Sequence, residues 1–224
     1  MNEVILYGNS TLSQMVLSDA SGSDFKIVAF AVDRDYLNAT TCCGLPQVDF
    51  EDVENMYPPD RYDMLAVLGG YSDMRARITH YQKARAKGYR MRNYISQRAD
   101  CANTVTFGEN NIILGTTHIG LNGSMGDNNI IRQNVYLGHD FDIGDNCFIG
   151  PGCNIAGSCT IANTCYIAIG ATIINNIMLA EETLIGAGSV VIRDTEAYSK
   201  NVGNPARVID YHREKGIRMR VDNG

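Results

Sequence analysis

From residue 112 onward the chain places an aliphatic side chain at every sixth position: Ile113, Ile119, Met125, Ile131, Leu137, Ile143, Ile149, Ile155, Ile161, Ile167, Ile173, Leu179, Ile185 and Val191. Fourteen blocks of six follow one another without insertion, from IILGTT to VVIRDT. The third place is often Gly or Ala, and the sixth is usually small. A period of six does not suit an α-helix, which turns every 3.6 residues. A hairpin meander would need longer strands and less regular turns. The pattern fits a left-handed parallel β-helix. Each hexad is then a short strand plus a turn, three hexads close one triangular coil, and the aliphatic residue points inward. Coils stack at about 4.8 Å, and fourteen hexads make between four and five coils. The left-handed crossover runs against the usual rule for parallel strands, so the repeat carries the inference.

The first hundred residues follow another rhythm. VILY (4–7), KIVAFAVD (26–33) and MLAVLGG (64–70) are buried-strand runs. Between them lie an amphipathic segment from about Ser10, a plausible cap, to Ala20, and a helical stretch from Asp73 to Lys87 that ends at Gly88. RMRNYIS (90–96) reads as a short last strand. Strands alternating with helices predict a small parallel α/β sheet of Rossmann type. The expected division is 1–100 for this Rossmann-like unit and 101–224 for the all-β left-handed β-helix with a carboxy-terminal cap. Ligands bind such sheets beyond the carboxyl ends of the strands. Asn9 and Ser10, Asp33 and Arg34, and Gly69 and Tyr71 occupy those ends. GNSTLS is not a GxGxxG loop, so a mononucleotide or nucleotide-linked ligand is favoured over a dinucleotide.

Cysteines recur at 147, 153, 159 and 165. Each lies four residues after an aliphatic anchor, at an inward place that Thr117, Val135, Ala171, Thr183 and Ser189 fill elsewhere. The expectation is buried thiols packing as small hydrophobes, with no metal and no disulfide ladder. Seven cysteines, an odd number, also weigh against a closed disulfide framework.

Composition narrows the function classes. The formal charge is −6, with Lys and Arg scattered, unlike the clustered basic side chains of a nucleic-acid binder. No apolar run approaches a membrane span. MNEVILYGNS has no basic region or cleavage site, so the expected compartment is the cytoplasm.

One place in the repeat could do chemistry. His139, in YLGHDF, sits two residues after inward Leu137 and should project outward near a corner. One coil later, eighteen residues on, Gly157 lays a bare backbone over it, and Ser158 comes over Asp140. A base beside an accessible N–H is what acyl transfer needs. Zinc hydration chemistry would need three convergent histidines. His118 and His139 are 21 apart, not a multiple of 18, and His80 and His212 lie outside the repeat.

GHDFDIGDNCFIGPGCNIAG, LIGAGSVVIRD and VGNPARVI resemble the hexapeptide-repeat acyltransferases. YGNS, FAVDRD…GLPQVDFEDV and GGYSDMRARI narrow this resemblance to the two-domain branch. That branch holds sialic acid O-acetyltransferase-like proteins and the N-acetyltransferases of nucleotide-linked amino sugars, such as the bacillosamine-pathway enzyme. The resemblance covers almost the whole chain. It implies a homotrimer with sites between neighbouring β-helices, acetyl-CoA as co-substrate, and a UDP- or dTDP-linked amino sugar as acceptor, acetylated at C4, in surface-glycan (lipopolysaccharide) biosynthesis. On it, His139 is the catalytic base, Asp140 its neighbouring acid, and the Gly157 N–H polarises the thioester carbonyl. Cofactor contacts fall at Phe148, Gly157, Ile169, Gly170, Ala187 and Arg207. Nucleotide contacts fall at Asn9, Ser10, Asp33, Arg34, Gly69 and Tyr71. Four residues depart from the family pattern. Thr11 and Leu12 replace loop glycines, Phe148 replaces a second histidine, and Arg132 stands where a small polar residue is common. Acetylation of a sugar hydroxyl, as in a sialic acid, is the nearest alternative. A non-catalytic trimeric scaffold that binds nucleotide-sugar is the alternative of another class.

Overall fold

A computed structural model describes residues 2–68 and 73–219. In chain order β1 (Asn2–Tyr7) leads to α1 (Thr11–Asp19), β2 (Phe25–Val32), β3 (Thr41–Cys42), β4 (Leu45–Asp49), the one-turn α2 (Val53–Met56), β5 (Asp63–Ala66) and α3 (Met74–Ala86). The sheet order is β3-β4-β2-β1-β5. Every pairing in it is parallel except the β3–β4 hairpin. Val4, Ile5, Leu6 and Tyr7 are all buried, because β1 is an interior strand, between β2 and β5, and covered on both faces, as a parallel sheet requires. One face of the sheet packs Ile5, Tyr7, Ala29 and Ala31 against Tyr81 and Ala84 of α3. The three expected buried strands and both expected helices are present. β3 and β4 were not anticipated, since Thr-Cys and Leu-Pro-Gln-Val-Asp around a Gly44 turn show too little apolar periodicity. Ser10 stands at the start of α1 but makes no capping bond; its hydroxyl lies 3.3 Å from that of Ser13.

The solenoid starts earlier than residue 101. Two-residue strands step by six from Tyr94–Ile95 to Val190–Val191, and Tyr94–Ile95 pairs in parallel with Ile112–Ile113. The segment 90–96 is therefore not the last strand of the amino-terminal sheet; Met91 makes only an isolated bridge to Met64. Three extra hexads were masked because their anchors are Ile95, Cys101 and Phe107, only the first of which is aliphatic. All fourteen expected anchors are buried in one continuous core.

Two further rules of the coil emerge. The fifth place of the hexad takes a left-handed backbone conformation, as at Asn122, Asn128, Asn134, Asp140, Asn146 and Gly152. Asn, Asp and Gly tolerate that region best. The inward sixth place is also a donor position. The thiols of Cys147, Cys153, Cys159 and Cys165 lie 3.1, 3.0, 3.2 and 3.2 Å from the carbonyls fifteen residues on, Ala162, Ala168, Ile174 and Ala180. Thr117 Oγ1 donates likewise to Arg132 O, and Asn129 Nδ2 to Gly144 O. The cysteines are thus small hydrophobes with a weak hydrogen bond to give. Burial raises the thiol pKa of Cys153, to about 11.

The prism has three faces. The docked face runs from Tyr94–Ile95 to Leu184–Ile185. The second runs from Asp100–Cys101 to Val190–Val191, and the third from Thr106–Phe107 to Met178–Leu179. The outward side chains Ile112, Ile130, Phe148, Tyr166 and Leu184 of the docked face share a core with Val4, Leu6, Leu12 and Val16. Polar staples fix the contact at the corner between the third and docked faces. Asn110 accepts from Ala66 N at 2.8 Å and donates to Ala66 O at 3.1 Å. Arg77 donates to the carbonyls of Asn128 at 2.7 Å and Asn146 at 3.1 Å. Burial lowers the Arg77 guanidinium to about 10.

Candidate active site

His139 lies on the corner between the second and third faces, opposite the docked face. Its side chain is 59% exposed. The fixed rise of the solenoid sets its neighbours. Gly157, one coil on, is so close that a Cβ there would lie 2.7 Å from His139 Nε2. Any other residue would push the ring aside. Gly138 serves the same close stacking, since its own Cβ would meet Gly157 N at 2.6 Å. Among the described residues the Gly157 N–H makes no hydrogen bond, while the next amide, Ser158 N, donates to His139 O at 2.8 Å.

Asp140 turns back on the ring because its backbone is left-handed, with φ 52°. Its Oδ2 lies 2.7 Å from His139 Nδ1, and its Oδ1 accepts from Asn122 Nδ2 at 3.2 Å. These bonds, the one to His139 first, hold the Asp140 carboxyl below its ordinary value. An ionised carboxylate only accepts, so Nδ1 carries the ring proton and Nε2 presents its lone pair. The result is a base beside an unengaged amide. Asn122 is a partner that sequence reasoning missed; it sits eighteen residues before Asp140 in the same corner column, and that offset was the available signal.

The expected cofactor residues gather elsewhere. Phe148, Ile169 and Ala187 line a cleft of about 340 Å³ at the corner between the docked and second faces. Gly170 is on the same corner, left-handed with φ 69°, its N–H bound to Pro151 O. Phe148 stacks on Tyr166 with centroids 5.0 Å apart. Arg132, read as a reshaping residue, lines this cleft too. Arg207 is exposed on the terminal strand Ala206–Tyr211, antiparallel to Ser199–Gly203.

A second cavity, about 490 Å³, opens at the carboxyl ends of β1, β2 and β5. Asn9, Ser10 and Asp33 line it, with Tyr36, Thr79, His80 and Lys83, which the sequence reading did not select. Asp33 accepts from Tyr7 OH at 2.7 Å and faces Lys83 Nζ at 3.6 Å. Arg34 is not part of the lining; it pairs with Asp49 at 2.6 Å. Gly69 and Tyr71 lie outside the described residues. His80 is buried, stacks on Tyr7 with centroids 3.5 Å apart, and its Nε2 lies 3.0 Å from Tyr7 O; burial lowers its pKa. Among the described residues no His, Cys, Asp and Glu cluster could hold a metal ion, and no helix is long and apolar enough to cross a membrane.

Residues 122–157 match the family model of the bacterial transferase hexapeptide (six repeats). Curated proteins give no sequence match to the chain. Solved structures share its fold along nearly their whole length. One is perosamine N-acetyltransferase from Caulobacter crescentus, a histidine-to-asparagine variant in complex with CoA and GDP-perosamine. It matches with TM-score 0.85 at 23% identity, over 94% of this chain and 98% of that one. The acetyltransferase domain of PglB from Neisseria gonorrhoeae, in complex with acetyl coenzyme A, gives 0.84 at 21%, over 93% and 100%. WeeI from Acinetobacter baumannii gives 0.80 at 22%, over 93% and 100%. Within one copy of the chain, the His139 corner and the Ile169–Ala187 corner flank the second face from opposite edges.

Proposed function

We propose that this protein is a sugar N-acetyltransferase that moves acetyl from acetyl-CoA to the amino group of a nucleotide-linked amino sugar. The observation that carries the reading is the rung formed by His139, Asp140 and Gly157, a base with a fixed tautomer beside an unengaged amide. The matching structures support it, since they hold CoA, acetyl coenzyme A and GDP-perosamine. GDP therefore joins UDP and dTDP among the nucleotides to be tried, and C4 of the sugar remains the proposed position.

In the proposed reaction the acceptor amine attacks the thioester carbonyl carbon. His139 Nε2 takes the amine proton, and Asp140 stabilises the imidazolium. The Gly157 N–H stabilises the oxyanion of the tetrahedral intermediate. The carbon–sulfur bond then breaks and CoA leaves as the thiol, with a proton from His139. No thiol attacks: Cys147, Cys153, Cys159 and Cys165 all face the core.

The separation of the two corners supports a homotrimer. With the second face of each copy turned to a common axis, the His139 corner of one copy meets the Ile169–Gly170–Ala187 corner of the next. Acetyl-CoA would lie along that seam, and the nucleotide in the cavity lined by Asn9, Ser10 and Asp33. Release of free CoA thiol, measured with acetyl-CoA and a panel of GDP-, UDP- and dTDP-linked amino sugars, tests the activity. Turnover with at least one amine acceptor supports the reading. Turnover only with sugar hydroxyls, or none, refutes it. Co-assembly of His139→Asn copies with Ile169→Asp copies tests the seam: partial recovery of activity is expected, and two inactive variants that stay inactive when mixed contradict a shared site.

A further inference from the structure

Cys42 and Cys43 are adjacent in sequence and line neither of the cavities described above. Side chains at successive positions of a strand point to opposite faces, so two neighbouring thiols in extended chain are held apart. The β3–β4 hairpin reverses this. It turns through Cys43 and Gly44, both left-handed with φ 49° and 79°, the two-residue turn whose first place Asn, Asp or Gly usually takes. A cysteine there is in an uncommon conformation. It swings the Cys43 side chain back, and Cys43 Sγ lies 3.9 Å from Cys42 Sγ.

The pair is held in place and open to solvent. Cys42 pairs with Leu45 across the hairpin, and both pack against the core between the two units. Gln47, two residues on from Leu45, donates through its backbone N–H to Thr40 O at 2.9 Å and through its side-chain amide to Ala39 O at 3.1 Å. These contacts fix the base of the hairpin, with Cys42 half-buried and Cys43 exposed at its tip. Two sulfurs 3.9 Å apart subtend about 115° at a centre bonded to each at about 2.3 Å, close to the tetrahedral angle that thiolate-bound zinc adopts. Among the described residues no three His, Cys, Asp or Glu side chains gather for a metal ion, so the chain supplies two ligands and the solvent side stays open. The remaining cysteines offer no such site: Cys147, Cys153, Cys159 and Cys165 are buried and Cys101 is half-buried.

We propose that Cys42 and Cys43 form a two-thiol site that captures a soft, thiophilic centre such as trivalent arsenic. The site is separate from the acyl-transfer chemistry above. Phenylarsine oxide is the probe, because its arsenic takes thiols in preference to imidazole or carboxylate. In the capture two As–S bonds form and the As=O bond breaks; the oxygen leaves as water with the two thiol protons, and the arsenic stays trivalent. Intact-mass measurement of the folded wild-type protein with equimolar probe should show a single phenylarsenic group on each chain. Peptide mapping should place it on the segment that holds Cys42 and Cys43. The second As–S bond closes within the molecule, so a variant left with one thiol should bind about a hundredfold weaker or more. Cys43→Asn is the decisive variant, since asparagine suits the left-handed turn: Tm should not fall, and the affinity should. Cys42→Ser should lose affinity to the same degree, and Cys101→Ser should bind as wild type does. Absence of the adduct in wild type overturns the proposal, as does an adduct on the solenoid cysteines or undiminished binding by Cys43→Asn. If Cys42→Ser does not fold, wild type and Cys43→Asn decide.

Discussion

The two units bury their side chains by different logics. In the solenoid each side chain's place follows from its position modulo six, and its neighbours lie eighteen residues away, as the pairs Asn110–Asn128, Asn128–Asn146 and Asn122–Asp140 do. In the amino-terminal unit neighbours are set by topology. Tyr7 sits between Phe50 and His80, and Ala66 meets Asn110 of the other unit, contacts that no period announces. The contrast teaches where function can be placed. A regular prism offers equivalent corners on every coil, and the column Leu121, His139, Gly157 and Asn175 differs only in side chain. Chemistry there needs a substitution, not a new backbone.

Four changes break or sharpen the comparison. The largest expected effect is on the prism. Ile155→Ala, at a fully buried anchor, should cost about 2–5 kcal/mol, measured by denaturant unfolding; a cost below about 1 kcal/mol would mean that the coils do not share a close-packed core. Next is Gly157→Ala. Its methyl would lie 2.7 Å from His139 Nε2, and displacing the base by about 1 Å should lower kcat roughly a hundredfold with Tm nearly unchanged. A smaller effect separates the packing and donor roles of the sixth place. Cys153→Thr keeps a donor for Ala168 O and should cost under about 1.5 kcal/mol. Cys153→Leu overpacks and removes the donor, and should cost about 1–3 kcal/mol. Equal costs would return the thiol to a purely apolar role.

The smallest is a pH effect confined to the amino-terminal unit. Burial lowers the His80 pKa, with Asp33 and Lys83 as opposing charged neighbours. The folded chain therefore keeps His80 neutral after the unfolded chain has taken a proton at about pH 6.5. Stability from this group is complete above that pH and is lost as pH falls through the lower folded value. Tm should decline from pH 7 toward pH 5, and His80→Gln should flatten the decline; an unchanged slope would contradict it.

Much of this was legible beforehand because the solenoid is arithmetic. Fourteen anchors, the inward cysteines, the outward His139 and the overlying Gly157 all follow from counting sixes and eighteens. The first coil escaped because Cys101 and Phe107 replace aliphatic anchors. The donor role of the cysteines escaped because a thiol and an alanine look alike to a hydrophobic pattern. In the amino-terminal unit the strands were visible as apolar runs, but Lys83, Thr79 and Tyr36 reach the cavity only through the packing of α3 and the loop after β2. Arg34 lies outside that lining for the same reason: its partner, Asp49, arrives from β4, a strand with no readable period.

The central claim is that His139 acts as the base beside the Gly157 amide. Steady-state release of CoA thiol by wild type and His139→Asn, compared at saturating acetyl-CoA and the best amino-sugar acceptor, tests it most directly. The expected result is a fall in kcat of about a hundred- to ten-thousandfold with an unchanged Tm and assembly. A His139→Asn protein that turns over at the wild-type rate would contradict it.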